Sequence, residues 1–469
     1  MTTESNETGF DLVVIGSGPA GQKAAICGAK AKQRVLIVEA EGQVGGACVH
    51  RGTIPSKTLR ETAVAFSAFQ RRTGGVMEVA FPQDMQVASL MTRLSEVVVA
   101  HEGYMAEQLR RNGIVHWHGR ASFVAADEVE VRGIDGKVRR ARARIVVIAV
   151  GSKPRSPEDI NVDHENILDS DSILSMTYLP QSLTVLGAGV IASEYASIFA
   201  ALGVKVTMID GGKRPVGFMD SELTDRFLHA FGKVGGRFIG EQKPRKCVFD
   251  GVNQVVTTLT SGEVVTSEKV LFALGRVACL DGLNISAAGL SATGRGVLAV
   301  NENCQTAVPN IYAVGDVIGP PSLASSSMDQ GRRAVSHALG LNLTTPPSMI
   351  PLGVYSIPEM SSVGLSEAEA QKQLGGAMVG RARFDEVARG QIAGIEDGFL
   401  KLVADPAGRK LLGIQIVGEG ACELVATGQM ALLAGLDVDV FVDNIFNFPT
   451  LAEAYRVAAL DIVMRRPVN

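Results

Sequence analysis

Residues 10–15, FDLVVI, run straight into Gly16-Ser17-Gly18-Pro19-Ala20-Gly21, a helical stretch QKAAICGAKAK and a second apolar strand, VLIVEA, that delivers Glu39. The succession then recurs: LTVL (183–186), Gly187-Ala188-Gly189-Val190-Ile191-Ala192, the helical SEYASIFAALG, and VTMID ending in Asp210. An uninterrupted apolar strand feeding a glycine turn and a helix is the signature of a buried parallel sheet, and the glycine spacing has a mechanical reading. Gly16 permits the tight turn, Gly18 lets a pyrophosphate reach the N–H groups at the helix start, and Gly21 lets helix and strand pack closely. The acid about 20 residues on accepts hydroxyls of an adenosine ribose. Alanine in the third place of the second copy still allows close packing, so each copy predicts its own dinucleotide site.

A chain of 469 residues exceeds one hydrophobic core and points to about three units. The crossover AVGSKPRSP (149–157) leaves the first unit, FALGR (272–276) returns, and IYAVGDV (311–317) supplies a further buried strand, so the second unit interrupts the first. From residue 346 the texture becomes alternating strands (FLKLVAD, LLGIQIVG) and two helical runs. The expected fold class is α/β, with two Rossmann-like dinucleotide-binding domains and a C-terminal α+β domain. The expected boundaries are 1–152 with 277–346, then 153–276, then 347–469.

With 45 Lys+Arg against 49 Asp+Glu the net charge is -4, which offers no field to gather nucleic acid or an anionic membrane. The first ten residues lack a basic start and an apolar run, and no apolar stretch is long enough to span a bilayer. A cytoplasmic protein without nucleic-acid or membrane partners is expected. The six cysteines are scattered with no metal-ligand spacing, so no metal site is predicted.

The loop GGACVHRGTIPSK (45–57) resembles a redox-disulfide loop with one sulfur missing: Cys48 is present, but Thr53 stands where a partner thiol would close a ring. Taken with GSGPAG and Glu39, GAGVIASEY, FALGR, YAVGDV, VYSIPEMSSVGLSE and FNFPTLAEAYR, the chain resembles over nearly its full length the flavin-dependent pyridine nucleotide-disulfide oxidoreductases. The resemblance implies FAD on the first Rossmann unit, a nicotinamide nucleotide on the second, and a C-terminal domain that forms a homodimer or higher homo-oligomer. For FAD it implies Gly16, Gly18, Pro19, Ala20, Gly21, Glu39, Gly46, Lys57, Ala121, Gly151, Asp316 and Ala324. For NAD(P) it implies Gly187, Gly189, Val190, Ile191, Asp210, Lys213, Arg214, Ala273, Gly275 and Arg276. Lys57 is placed near flavin N5 and paired with Glu194, where a cation stabilises negative charge arriving on the reduced ring.

Two departures redirect the chemistry. A threonine hydroxyl is not redox-active, so Cys48 has no internal partner. Where the family's disulfide reductases carry His-Pro-Thr-x-x-Glu, this chain has Phe448-Pro449-Thr450-Leu451-Ala452-Glu453, and phenylalanine has no proton to give. Thr450 and Glu453 also match a helix capping box. Both losses remove thiol-disulfide exchange and leave hydride transfer intact. Both features are similar to the soluble, flavin-containing, Si-specific NAD(P) transhydrogenases, a branch of that family. The expected catalytic set is Lys57, Glu194, Thr53 and Cys48.

Asp210 is the feature at odds with this reading, since a carboxylate there favours NAD and repels the 2′-phosphate of NADP, with Lys213 and Arg214 as possible neutralisers. Alternatives are an NADH-dependent diaphorase or quinone reductase, a dihydrolipoamide-dehydrogenase-like oxidoreductase, a peroxide reductase cycling Cys48 through a sulfenic acid, and a non-catalytic flavin-bound scaffold. His50 and Arg51, beside Cys48, are expected to face water.

Overall fold

The structure, a computed structural model, describes residues 9–73, 87–157, 159–343 and 349–467. Most of the N-terminal stretch read for a secretory signal, and the expected 346/347 junction, lie outside these residues. The chain forms two compact units, residues 1–58, 91–155 and 275–346, and residues 59–90, 156–274 and 347–469.

The first unit is built on a seven-stranded sheet. Val115–His118, Val35–Glu39, Gly9–Ile15 and Val138–Ile148 run parallel in that order, with Ile311–Ala313 parallel to the end of Val138–Ile148. The long strand does two jobs that its sequence foretells. In VRRARAR arginines alternate with small residues, and that half pairs antiparallel with Glu128–Arg132. The closing residues 145–148, IVVI, are all buried and take parallel neighbours on both sides. Alternation belongs to a half-exposed antiparallel ribbon and a continuous apolar run to a parallel sheet covered on both faces. Pro19–Lys30, the helix after the first glycine turn, packs along Ala324–Ala338.

The second unit repeats the plan. Arg237–Ile239, Lys205–Ile209, Ser182–Leu186, Lys269–Phe272 and Ile167–Asp169 form a wholly parallel sheet in that order. An antiparallel meander, Pro244–Phe249, Val255–Leu259 and Val264–Ser267, follows its last helical crossover. The helix Val190–Ala201 is buried on nearly all sides because, Glu194 apart, it carries apolar and small residues all round.

The C-terminal residues of this unit form a five-stranded antiparallel sheet, with Ala421–Leu433 and Glu453–Val463 packed on it. Tyr455 is fully buried there, its hydroxyl donating to Leu424 O at 2.8 Å and accepting from Gly428 N at 3.1 Å. Val354, Met360, Phe399 and Val417 share one hydrophobic cluster with Leu183, Val185 and Phe199, which is why 347–469 falls into one unit with the second parallel sheet. A polar knot centred on the buried Lys401 and Asp220 ties the helix Ser221–Lys233 to the same antiparallel sheet. Lys401, 1% exposed, meets Asp220 at 2.9 Å, Glu222 at 2.7 Å and Glu367 at 2.6 Å, while Arg381 also reaches Glu222 at 2.6 Å and Glu367 at 3.3 Å. Asp220 at the same time caps the helix Ser221–Lys233 by accepting from Glu222 N.

Candidate functional site

Each glycine turn sits where its strand ends and its helix begins. Gly16 has φ +103°, and a Cβ on it would lie 2.3 Å from Ala149 O; one on Gly21 would lie 1.9 Å from Gly16 O. Those two glycines are needed by the fold itself. Gly18 differs, because a Cβ there meets nothing within 4 Å although the residue caps Pro19–Lys30 with no side-chain bond. The helix start therefore faces open space with its N–H groups available, as an anion site requires. Gln22 Nε2, in the first turns of that helix, is buried with no hydrogen-bond partner among the described residues. Open room beside Gly18 and a spare buried donor fit a dinucleotide's phosphates.

Glu39 is buried and already held. Ser17 donates its N–H (2.8 Å) and its hydroxyl (2.5 Å) to Oε2, and Glu41 N–H donates to Oε1 at 2.9 Å. A carboxylate offers about four acceptor sites, so these three bonds fix its direction and leave capacity for a ribose hydroxyl. Ser17 Oγ also accepts from Gly45 N at 3.1 Å, tying the glycine turn to the loop that carries Cys48. Nothing in the sequence marked Ser17, since the motif leaves its position unspecified.

Around that loop, Gly46 has φ +60° and its missing Cβ lets it lie against Gly18. Cys48 falls in the short helix Gly46–His50, and Thr53 opens the helix Thr53–Thr73. Burial pushes the Cys48 thiol up, against a hydrogen bond from Thr53 and the charge of Lys57, which pull it down, with Asp316 adding to the rise. Cys48, Thr53, Lys57 and Asp316 are thus brought together, and the thiol stays protonated near neutral pH. Lys57 Nζ donates to Ser56 Oγ at 3.4 Å. Of the two flanking residues expected to face water, His50 is half-buried with Nε2 2.9 Å from Val44 O, while Arg51 is exposed and pairs at the surface with the exposed Glu41 at 3.2 Å.

Asp316 is set by a chain of donors. Ser152 Oγ donates to Asp316 Oδ2 at 2.6 Å, while Arg276 donates to Ser152 Oγ at 2.9 Å and to Ser152 O at 2.7 Å. Arg276, assigned from sequence to the nicotinamide nucleotide, belongs with Gly275 to the first unit, where Arg276–Ala278 pairs with Ser152–Pro154. Gly151 follows the long strand with φ +68°, Ala121 lies on Arg120–Ala125, and Ala324 opens Ala324–Ala338.

In the second unit Gly187 has φ +111° and approaches Ala273 O, and Gly189 again caps its helix, Val190–Ala201, with open space where a Cβ would be. Val190 and Ile191 form that helix's first turn. Asp210 Oδ2 accepts from Ala188 N at 3.0 Å and Oδ1 from Gly212 N at 2.6 Å, so its carboxylate is locked onto the turn. The basic pair is occupied: Arg214 is ion-paired with Asp225, and Lys213 lies 3.9 Å from Glu241. Sequence reasoning passed over Lys243, whose side chain crosses Gly211, with Cε 2.9 Å from where a Cβ would stand. Glu194 is buried and accepts from Tyr355 N at 2.9 Å. Lys57 belongs to the first unit and Glu194 to the second.

At the C-terminus Phe448 is 68% exposed. The expected capping box at Thr450 does not form. Ala452 is the N-cap, Thr450 Oγ donates to Asn447 O at 2.7 Å, and only Glu453 reaches back, accepting from Thr450 N at 3.4 Å. The hydroxyl had a nearer carbonyl to serve, whereas Ser366 and Glu369 complete a full box elsewhere.

Among the described residues no helix is long and apolar enough to cross a membrane, and no group of His, Cys, Asp and Glu is arranged to hold a metal ion.

The family model described as pyridine nucleotide-disulphide oxidoreductase matches residues 10–331, and the model for the dimerisation domain of that family matches residues 350–459. A soluble pyridine nucleotide transhydrogenase of Mycobacterium bovis is 41% identical over 459 residues, spanning 97% of this chain and 97% of the relative. The protein of that name from Colwellia psychrerythraea is 40% identical over 462 residues, 96% of this chain and 97% of the relative. Among solved structures, LpdA from Mycobacterium tuberculosis superposes with a TM-score of 0.89 at 24% identity, covering 96% of this chain and 99% of its own. The HOCl-induced flavoprotein disulfide reductase RclA from Escherichia coli gives 0.86 at 25% identity, covering 96% and 99%.

Proposed function

The chain belongs to the pyridine nucleotide-disulphide oxidoreductase family, and on that premise we propose that it transfers hydride between NADPH and NAD through FAD, without a redox disulfide, as a cytoplasmic homodimer. The observation that carries this reading is the residue beside the one loop thiol. Cys48 has the hydroxyl of Thr53, not a second sulfur, for its neighbour, so no disulfide stands ready to take electrons, and burial pushes the thiol up, away from a reactive thiolate. Full-length relatives carrying the transhydrogenase name support the same reading.

FAD, when bound, supplies a two-electron hydride relay that needs no sulfur. The chain's own residues do the rest. Gly16 and Gly18 shape the turn, Pro19, which has no N–H, opens the helix, Ala20 and Gly21 offer first-turn N–H groups to the pyrophosphate, and Glu39, aimed by Ser17, receives the ribose. Asp316 is oriented by Ser152 and Arg276 beside the Cys48–Thr53 pair, and Lys57 contributes positive charge on that side of the site. Thr53 and Cys48 act as a neutral, hydrogen-bonded wall, while Glu194 holds the backbone at Tyr355. Gly187, Gly189, Val190 and Ile191 form the matching phosphate turn for the nicotinamide nucleotide, with Asp210 fixed beside it.

Anaerobic mixing of the FAD-loaded protein with NADPH, followed by the thio-analogue of NAD, tests the proposal. Flavin bleaching and then prompt recovery with thio-NADH formation is expected. A faster turnover with lipoamide or glutathione disulfide than with any nucleotide acceptor refutes it. One observation favours a second reading, an NADH-dependent diaphorase: Asp210 is locked in place and Arg214 is engaged by Asp225. Quinone turnover exceeding nucleotide turnover, with NADPH inert as donor, selects that reading.

A further inference from the structure

A protein that exchanges hydride between NADPH and NAD must admit a 2′-phosphate at a site whose ribose acid, Asp210, repels it. The two cations next in sequence are poorly placed to compensate. Arg214 must first leave Asp225, and Lys213, 81% exposed, must be ordered from water and drawn from Glu241. Lys243 is in a different position. It follows the edge strand Arg237–Ile239, in a loop that packs onto the turn after Asp210: Glu241 N donates to Gly212 O at 3.1 Å and Gln242 N to Asp210 O at 3.0 Å. Its aliphatic stem lies across Gly211, with Cε, Cγ and Cδ at 2.9, 3.4 and 3.8 Å from the position of a Cβ. Any side chain at 211 would displace it. Its backbone is pinned as well, the N–H donating to Thr260 Oγ1 at 3.4 Å and the carbonyl accepting from Thr260 N at 3.0 Å. Its ammonium forms no ion pair among the described residues, in contrast to Lys213 and Arg214.

We propose that Lys243 is the cation that receives the 2′-phosphate of NADP(H), and that Gly211 is small in order to let it lie beside Asp210. The inference rests on the transhydrogenase reading and names the residue that sets nucleotide breadth at its second site. A lysine serves this purpose where an arginine fork would not be required, because a single flexible point charge meets the phosphate when NADP(H) binds and stands aside for NAD(H). The stem lies along Gly211, and among the described residues no carboxylate must be released when the phosphate binds.

The test measures dissociation constants of NADP+ and NAD+ for the FAD-loaded protein by calorimetry, for the wild type and for Lys243→Ala, Lys243→Arg, Lys213→Ala and Arg214→Ala. A charge-assisted bond of ordinary strength predicts that Lys243→Ala weakens NADP+ about 10- to 100-fold. NAD+ should change less than about twofold on the same scale. Lys243→Arg should retain NADP+ binding, and added salt should weaken NADP+ binding to the wild type more than to Lys243→Ala. Equal NADP+ binding by Lys243→Ala and wild type overturns the inference, as does a loss confined to Lys213→Ala or Arg214→Ala, or a wild type that does not bind NADP+. Failure of the functional reading is separate: it is absence of hydride exchange between nucleotides by a wild type that still binds NADP+ through Lys243.

Discussion

Replacing Lys401 by methionine keeps most of the buried stem and deletes one charge. The cost follows from what remains. Glu222 and Glu367 retain Arg381, but Asp220, with a side chain only 5% exposed, loses its sole ion-pair partner among the described residues and keeps the Glu222 N–H. Removing one member of a buried ion pair costs about 3–5 kcal/mol, because the other charge is left uncompensated. Two units need not unfold together, so a single melting temperature does not report this cost. Native-state hydrogen exchange at Phe399–Ala404 and Ser221–Lys233 does, and protection there should fall by about two to four decades.

The sign with pH follows from Glu222. Arg381 is the main cause holding its carboxyl at about 2, a stabilisation present above the unfolded carboxylate range and lost as pH falls toward 2. Asp220→Asn in the Lys401→Met background should restore much of the protection, since asparagine still caps the helix. A loss of protection below about tenfold at pH 7, or no rescue by Asp220→Asn, would refute the argument that an orphaned Asp220 carries the cost.

Gly18→Val should fold normally but purify without FAD, read from the ratio of flavin absorbance to protein, because the new side chain enters space no protein atom occupies. Gly21→Ala should instead lose soluble folded protein, since its Cβ would strike Gly16 O. Cys48→Ser should keep nucleotide-to-nucleotide turnover within about twofold, as a protonated thiol takes no part in it; near-complete loss would point to sulfur chemistry.

Both strand–glycine turn–helix–strand units were legible because each rests on local, periodic signals: apolar runs of strand length, glycines where backbone must pass close to backbone, an acid at the next strand's end. What escaped were contacts between residues distant in sequence. Ser17 matters because Glu39 returns to it 22 residues later, and Ser152 because Asp316 does so after 164. Lys243 could not be found from Asp210, since only the parallel pairing of Lys205–Ile209 with Arg237–Ile239 brings their loops together. Thr450 misled because a capping pattern specifies spacing, while the hydroxyl chooses whichever acceptor the backbone turn presents, here Asn447 O. The core shared by 183–199 with 354–417 was equally invisible, as no local pattern states which apolar faces meet.

The order in which the ribosome releases these strands also matters. The parallel sheet of the second unit has every strand once residue 272 has emerged, whereas the sheet that begins at Gly9 waits for Ile311–Ala313, and the helix Pro19–Lys30 waits for Ala324–Ala338. Synthesis therefore supplies every strand of the later parallel sheet before the earlier sheet is complete. A nascent chain halted near residue 290 carries an unclosed N-terminal sheet edge at Val146–Ile148, the place where chaperones, or a neighbouring polysome's product, would first find purchase.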